Sequence, residues 1–182
     1  MIEGVNINVK MKKLRKVIIG MYCAVAVVFL AFPMKKVTAE TVYLQSWALY
    51  DSGMHIDYKN AGSSYYSYVK NGASTWNKYK AGVFREDKWN TINDLTIKDV
   101  NVENNINATT YSSGYIKFNK YNMSSKSTAR KKNVATHELG HALGINHIPY
   151  SNDLMYPSDN GVYKLTVTDK LAYDSAYSFF KK

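Results

Sequence analysis

The sequence predicts an α+β fold, in which a sheet of about five strands packs with three helices. Two observations predict it. Short segments of alternating apolar and polar residues, bounded by Gly, Asn, Asp and Ser, indicate strands. Three longer segments have apolar residues three and four positions apart, a helix cap, or both, which indicates helices. The length of 182 residues suits one domain with a buried core.

Residues 1–39 are predicted to be a signal peptide, with Met11 as an alternative translation start. Basic residues precede an apolar run at Val17–Phe32, and a small-residue cleavage site ends at Ala39. We therefore expect a secreted, extracellular protein, or one retained at a bacterial cell surface, without stable membrane insertion after cleavage. An uncleaved membrane anchor is the alternative, and the mass of the protein found in the medium would distinguish the two.

The net charge of +10 is concentrated in that first segment, which holds seven Lys or Arg residues and one Glu. Residues 40–182 carry 17 basic and 13 acidic residues, a net charge of +4. This gives no reason to expect a nucleic-acid partner. The one basic cluster, Arg130–Lys132, is interpreted as a solvated first helical turn, in preference to a groove for acidic ligands. The only cysteine, Cys23, lies in the apolar run, so residues 40–182 cannot form a disulfide.

Five strands are predicted from the alternating segments. They lie at Met54–Tyr58, Val83–Asp87, Leu95–Val102, Thr109–Ser113 and Gly114–Tyr121. His55 is interpreted as an ordinary residue of the first strand.

Three helices are predicted. The first spans Ser64–Lys80 after a capping residue at Ser63, and its aromatic stripe is expected to face the core. The second covers Asn133–Leu143, following an N-cap at Ser127 or Thr128. The last begins with Thr166 and Asp169, which are spaced as a capping box.

The second helix carries residues suited to hold a metal. His137 and His141 are four apart and project from one helical face, while Glu138 can reach a metal-activated water without being a ligand. Gly144 accepts the positive φ at which a helix can end, so the chain can turn and bring His147 back as a third ligand. Three imidazoles with an open fourth position indicate a catalytic zinc site.

A bare His-Glu-x-x-His pattern also occurs by accident on amphipathic helices. Here Gly144, His147 and a downstream Met155 in Asp-Leu-Met-Tyr-Pro accompany it, and three of the four histidines of the chain lie in the motif. The extended pattern argues strongly against coincidence.

Residues 134–157 resemble those of matrixins, a branch of the metzincin proteases. The interval from His147 to Met155 and the Leu-Met-Tyr-Pro turn match that branch. Weaker support comes from the aromatic helix ending near Trp76 and from Thr168–Leu171. The resemblance implies a zincin/metzincin fold, with a twisted, mixed but mostly parallel sheet, an active-site helix and a methionine turn. It also implies that residues 40–182 are the catalytic domain of a zinc-dependent endopeptidase. We expect a monomer that binds one catalytic Zn²⁺ and acts on protein or peptide substrates.

The chain departs from that family in several respects. Ile148 stands where matrixins commonly have Ser or Thr. The chain has no second-zinc histidines, no visible calcium loop and no cysteine for thiol-based latency. Calcium is therefore left open as a cofactor without a supporting motif.

The predicted reaction is hydrolysis of peptide bonds by metal-activated water, with Glu138 as general base. Met155 is expected to form a hydrophobic floor under the imidazoles. Substrate is expected to extend the sheet at an edge strand within Asn107–Tyr115, and Tyr156–Leu165 to form the wall of the pocket after the scissile bond.

The alternative is a non-catalytic, exported cell-surface binding module on the same fold, using its tyrosines as a binding surface. The intact Glu138 and its three neighbouring histidines favour the enzyme, because a protein that had lost catalysis would be expected to lose one of them.

Overall fold

The computed structural model describes residues 43–87 and 92–181. The predicted signal peptide at residues 1–39 lies outside the described residues. Within them the chain forms one five-stranded sheet and four helices. Among these described helices, none combines the length and the apolar character needed to cross a bilayer.

The strands of the sheet are β1 (Ile56–Asn60), β2 (Phe84–Glu86), β3 (Leu95–Val100), β4 (Ala108–Tyr111) and β5 (Tyr115–Asn119). Their spatial order is β2-β1-β3-β5-β4. All neighbours pair in parallel except β4, which runs antiparallel to β5. The predicted α+β class and mostly parallel sheet are confirmed, and β4 lies at one edge, within the range expected for an edge strand.

The first strand begins two residues later than predicted, because the chain is still turning at Met54, which has a φ of 60°. The Asp51 carboxylate accepts hydrogen bonds from the backbone N–H groups of Gly53 and His55, each at 2.8 Å, and closes this turn. His55 thus belongs to the turn, and its assignment to a strand was wrong.

The helices are α1 (Tyr66–Tyr79), α2 (Lys120–Met123), α3 (Thr128–Ala142) and α4 (Val167–Phe180). Three were predicted, and α2 was missed because it is a single turn at the end of β5. The side chain of Asn119 accepts a hydrogen bond from the backbone N–H of Tyr121 there and ends the strand two residues earlier than expected.

The capping predictions had different outcomes. Ser127 caps α3, and Thr166 and Asp169 form the predicted capping box of α4. Ser63 is not the N-cap residue of α1, because the helix begins three residues later, at Tyr66. Its hydroxyl accepts the backbone N–H of Tyr65 at 3.1 Å in the turn before the helix and donates to Asp99 at 2.6 Å, which ties this turn to β3. Tyr65 provides no side-chain cap.

Helix α3 lies in the middle of the domain, and its ten residues from Asn133 to Ala142 are all buried. The Trp76 indole of α1 donates to the carbonyl of Thr136 at 3.0 Å, and its ring packs against Tyr173 of α4. Trp76 thus joins α1 to both α3 and α4, and the buried helix α3 directs Glu138 toward Thr110 of β4.

Candidate active site

The three motif histidines converge on one point. Their ring centroids lie 4.7–5.2 Å apart, and one nitrogen of each lies within 4.8 Å of the others. The Nε2 atoms of His141 and His147 are 3.2 Å apart. Two nitrogens bound tetrahedrally to one zinc ion would be separated by about 3.3 Å, so the donors fit that ion.

Gly144 makes the turn that brings His147 to the helix. Its φ is +85°, and its N–H donates to the carbonyl of His141 at 2.9 Å. A Cβ at this position would lie 2.5 Å from a ring carbon of Phe180 and 3.1 Å from the Cβ of Ala48. Both the backbone conformation and the space therefore require glycine here.

Backbone carbonyls orient two of the imidazoles. His137 Nδ1 lies 2.9 Å from the carbonyl of Leu154, and His141 Nδ1 lies 2.9 Å from that of Ile145. A carbonyl only accepts, so each Nδ1 carries the proton and each Nε2 keeps its lone pair for a metal.

The electrostatics favour the neutral imidazoles that a metal requires. Burial lowers the pKa of His137 to about 3, with the neighbouring His141 adding to the effect. Burial also lowers the pKa values of His141 and His147.

Nothing in the sequence pointed to Gln45, yet the nitrogen of its side-chain amide lies 2.8 Å from His141 Nδ1. Because Nδ1 carries its own proton, this amide packs beside the ring and donates to the same Ile145 carbonyl at 3.3 Å. Backbone hydrogen bonds hold Gln45 in this position. The N–H of Gln45 donates to the Gly144 carbonyl at 2.8 Å, and the N–H of Asn146 donates to the Tyr43 carbonyl at 2.9 Å. This segment forms a bridge between Leu44 and Ile145, about a hundred positions apart, so no local pattern of the sequence indicates it.

Glu138 lies beside the histidines and is only 6% exposed. Thr110 of β4 was not predicted as a site residue, but its hydroxyl lies 2.5 Å from Glu138 Oε2 and 2.9 Å from the Glu138 carbonyl. Burial raises the pKa of Glu138 to about 7, and the Thr110 hydrogen bond opposes that rise. The edge strand thus holds this carboxyl in position.

Met155 packs directly against the motif helix. It is fully buried, and its carbonyl accepts the N–H of Ile148 at 2.8 Å. A Cβ at Gly140 would overlap the Met155 sulfur and lie 3.2 Å from the Trp76 ring. Gly140, which was not singled out from the sequence, is therefore what allows Met155 to approach the helix between the two ligand positions.

Asp169 of α4 supports the Met155 turn from the other side. Its fully buried carboxylate accepts the N–H groups of Leu154 and Met155, each at 3.1 Å, and that of Thr166 at 2.8 Å. The Thr166 hydroxyl also donates to it at 2.9 Å. One side chain thus joins the helix cap to the turn under the histidines.

Replacing Asp169 with alanine is expected to lower the free energy of unfolding by roughly 3 kcal/mol or more, because several buried N–H groups would lose their acceptor. Urea unfolding of the metal-free protein would measure this. Asp174→Ala is the control, since the Asp174 carboxylate accepts a hydrogen bond from the exposed Tyr79 hydroxyl and not from a buried N–H group of the described residues. Equal losses in the two variants would contradict the assigned role.

A cleft of about 690 Å³ runs past the histidines. Residues around β4, including Asn107 and Thr110, line one side, and Tyr156–Asp159 line another. The predicted wall segment therefore contributes its first four residues to the cleft. Its expected position after the scissile bond stays a prediction.

Three aspartates form a separate acidic cluster. One carboxylate oxygen each of Asp51, Asp57 and Asp94 lies within 4.8 Å of the others. Burial raises the pKa values of Asp57 and Asp94. Such clusters are common without an ion, and the expectation about calcium stays untested.

Comparison with known proteins agrees with this geometry. A family model described as Matrixin matches residues 73–178, more than half of the chain. The matched range contains all three histidines of the site, Glu138 and Met155. A search of curated proteins finds no match.

Proposed function

This chain belongs to the matrixin family, and from that membership we propose that it is an exported, zinc-dependent endopeptidase. The family supports a metalloprotease-type function with protein substrates. The observation that carries the proposal is the convergence of three neutral imidazoles beside one buried carboxyl group in an open cleft.

His137, His141 and His147 would hold the ion through Nε2. Zinc bound there would lower the pKa of a water molecule to about 7 and polarise the scissile carbonyl. The protein supplies the orientation, because the Leu154 and Ile145 carbonyls fix two of the rings and Gly144 directs the third.

Glu138 would serve as general base. Its carboxylate would accept the proton of the attacking water and carry it to the leaving amine. The Thr110 hydroxyl would hold Glu138 Oε2, so that Oε1 remains available for proton transfer. The Thr110 hydrogen bond thereby links Glu138 to the edge strand β4.

The peptide would bind in an extended conformation along β4, the antiparallel edge strand. Its backbone would pair with the unpaired side of that strand, while the cleft would receive its side chains. Such pairing places a scissile bond next to Thr110 and Glu138 without requiring a particular sequence.

The decisive experiment is metal analysis of residues 40–182 together with digestion of a peptide library with and without a zinc chelator. We expect about one zinc per chain, cleavage within peptides, loss of cleavage on chelation and its return with added zinc. Cleavage that is indifferent to the chelator would contradict the proposal. Zinc binding without any cleavage would favour the binding-module alternative.

Export belongs to the proposal because of residues 1–39, whose basic and apolar segments have the pattern of a signal peptide. The uncleaved anchor remains the alternative for that segment. Neither affects the assignment of the site, which lies within residues 43–181.

A further inference from the structure

A group of charged and amide side chains crosses the cleft away from the histidines. Lys126 and Asp159 both line the cleft, and their side chains are 18% and 9% exposed. Lys126 Nζ lies 2.5 Å from Asp159 Oδ2. Arg130 forms an ion pair with Asp159 Oδ1, and the Asn107 amide donates to Oδ2 at 3.1 Å. We call these four residues the Lys126 cluster.

The cluster joins three parts of the chain. Asn107 precedes the edge strand β4, Asp159 belongs to the opposite wall, and Arg130 lies in the first turn of α3. Arg130 is exposed, as interpreted from the sequence, and its guanidinium also pairs with Asp159 of the wall. An extended peptide running along β4 would therefore meet this cluster at one end of its path.

The groups of the Lys126 cluster that remain available to bind a ligand are N–H donors. Both oxygens of the Asp159 carboxylate are already engaged. Lys126 has three N–H donors and Arg130 has five, and within residues 43–87 and 92–181 the side chain that each cation contacts is that of Asp159 alone. Two cations against one anion also leave a net charge of +1.

Removing a Lys–Asp pair from water costs free energy, and the attraction between the partners offsets that cost only in part. Such a pair in the wall of a cleft is therefore poorly explained by stability alone. A ligand that offers an anionic acceptor would use the remaining donors and balance the surplus positive charge.

We propose that the Lys126 cluster is a subsite for a carboxylate of the peptide substrate. The proposal rests on the proposed peptidase function and adds the substrate class: peptides with a negative charge a short distance from the scissile bond. The carboxylate has two sources, an Asp or Glu side chain within the peptide or the carboxylate at the C-terminus of the peptide.

The test uses matched peptides that carry Glu or Gln at successive positions, each with a free or an amidated C-terminus. The ratio of kcat/KM for the Glu and Gln forms measures the preference within one protein sample. We expect a ratio of about ten at one position, the factor given by one charge-assisted hydrogen bond. If the C-terminus is the source, amidation has this effect and the Glu/Gln ratio stays near one.

Three variants assign the preference to the cluster. Lys126→Met is expected to bring the ratio close to one. Asp159→Asn keeps the size of the side chain but leaves two cations unneutralised, so the ratio is expected to rise several-fold. Lys78→Met is the control, because it removes an exposed positive charge of α1 that does not line the cleft, and it should leave the ratio unchanged.

Binding of the same peptides to zinc-loaded Glu138→Ala protein separates this inference from the peptidase proposal. Carboxylate-dependent binding without cleavage by the wild type would support the subsite and contradict the peptidase. Cleavage with no carboxylate preference in either peptide series would overturn the subsite and leave the peptidase intact. A kcat/KM ratio for the Glu and Gln peptides that is the same in Lys126→Met, Asp159→Asn and the wild type would also overturn it.

Discussion

Replacing Glu138 with alanine is expected to abolish peptide hydrolysis while zinc remains bound. This substitution removes none of the three histidines, and backbone carbonyls and Gly144 orient them. Loss of a general base lowers kcat by about 10²–10⁴-fold. Zinc content and peptide cleavage, measured on the same sample, would check both parts of the expectation.

Glu103→Ala is the matched control, since its carboxylate accepts an exposed Tyr121 hydroxyl and does not line the cleft. It should retain full activity. A Glu138→Ala protein that cleaves peptides at the wild-type rate would show that another group takes the proton. Loss of zinc together with activity would instead indicate that Glu138 supports the ligands.

Replacing His147 with alanine is expected to weaken zinc binding by roughly a hundredfold or more, because one of three donors is lost. His147 is exposed, whereas His137 and His141 are buried, so this substitution disturbs the fold least among the three ligands. Competition with a fluorescent chelator would measure the affinity. Peptidase activity should fall with zinc occupancy and partly return at high zinc concentration.

The matched control is His55→Ala, which removes the one histidine outside the site and leaves all three donors in place. Its zinc affinity should equal that of the wild type. If His147→Ala bound zinc as tightly as His55→Ala, the third ligand would have to be another group, and the assignment of the site would be wrong.

Much of the site could be predicted from local sequence, because the ligands are close neighbours in the chain. The four-residue spacing of His137 and His141 acts through helix geometry, and Gly144 acts through its own backbone freedom. The capping signals of α3 and α4 are also local. Each of these features depends on residues within about one or two helical turns.

Strand limits and the short helix α2 were less predictable. Met54 adopts a positive φ that its side chain does not indicate, and the turn around it depends on hydrogen bonds to Asp51. Ser63 is a residue type common at helix caps, but α1 begins three residues later, and the Ser63 hydroxyl joins the turn before the helix to Asp99, 36 positions away. In both cases hydrogen bonds made by side chains shape the turn that precedes the element.

The sequence alone therefore determined the fold class and the family resemblance and predicted the three histidines and Glu138 as site residues, since these rest on residue types at fixed short intervals. Only the tertiary structure placed Thr110 on Glu138, Gln45 beside His141, and Asp159 across the cleft from Asn107. Those contacts join residues 28, 96 and 52 positions apart. No local periodicity encodes them, because they exist only after the sheet edge, the motif helix and the Met155 turn have packed together.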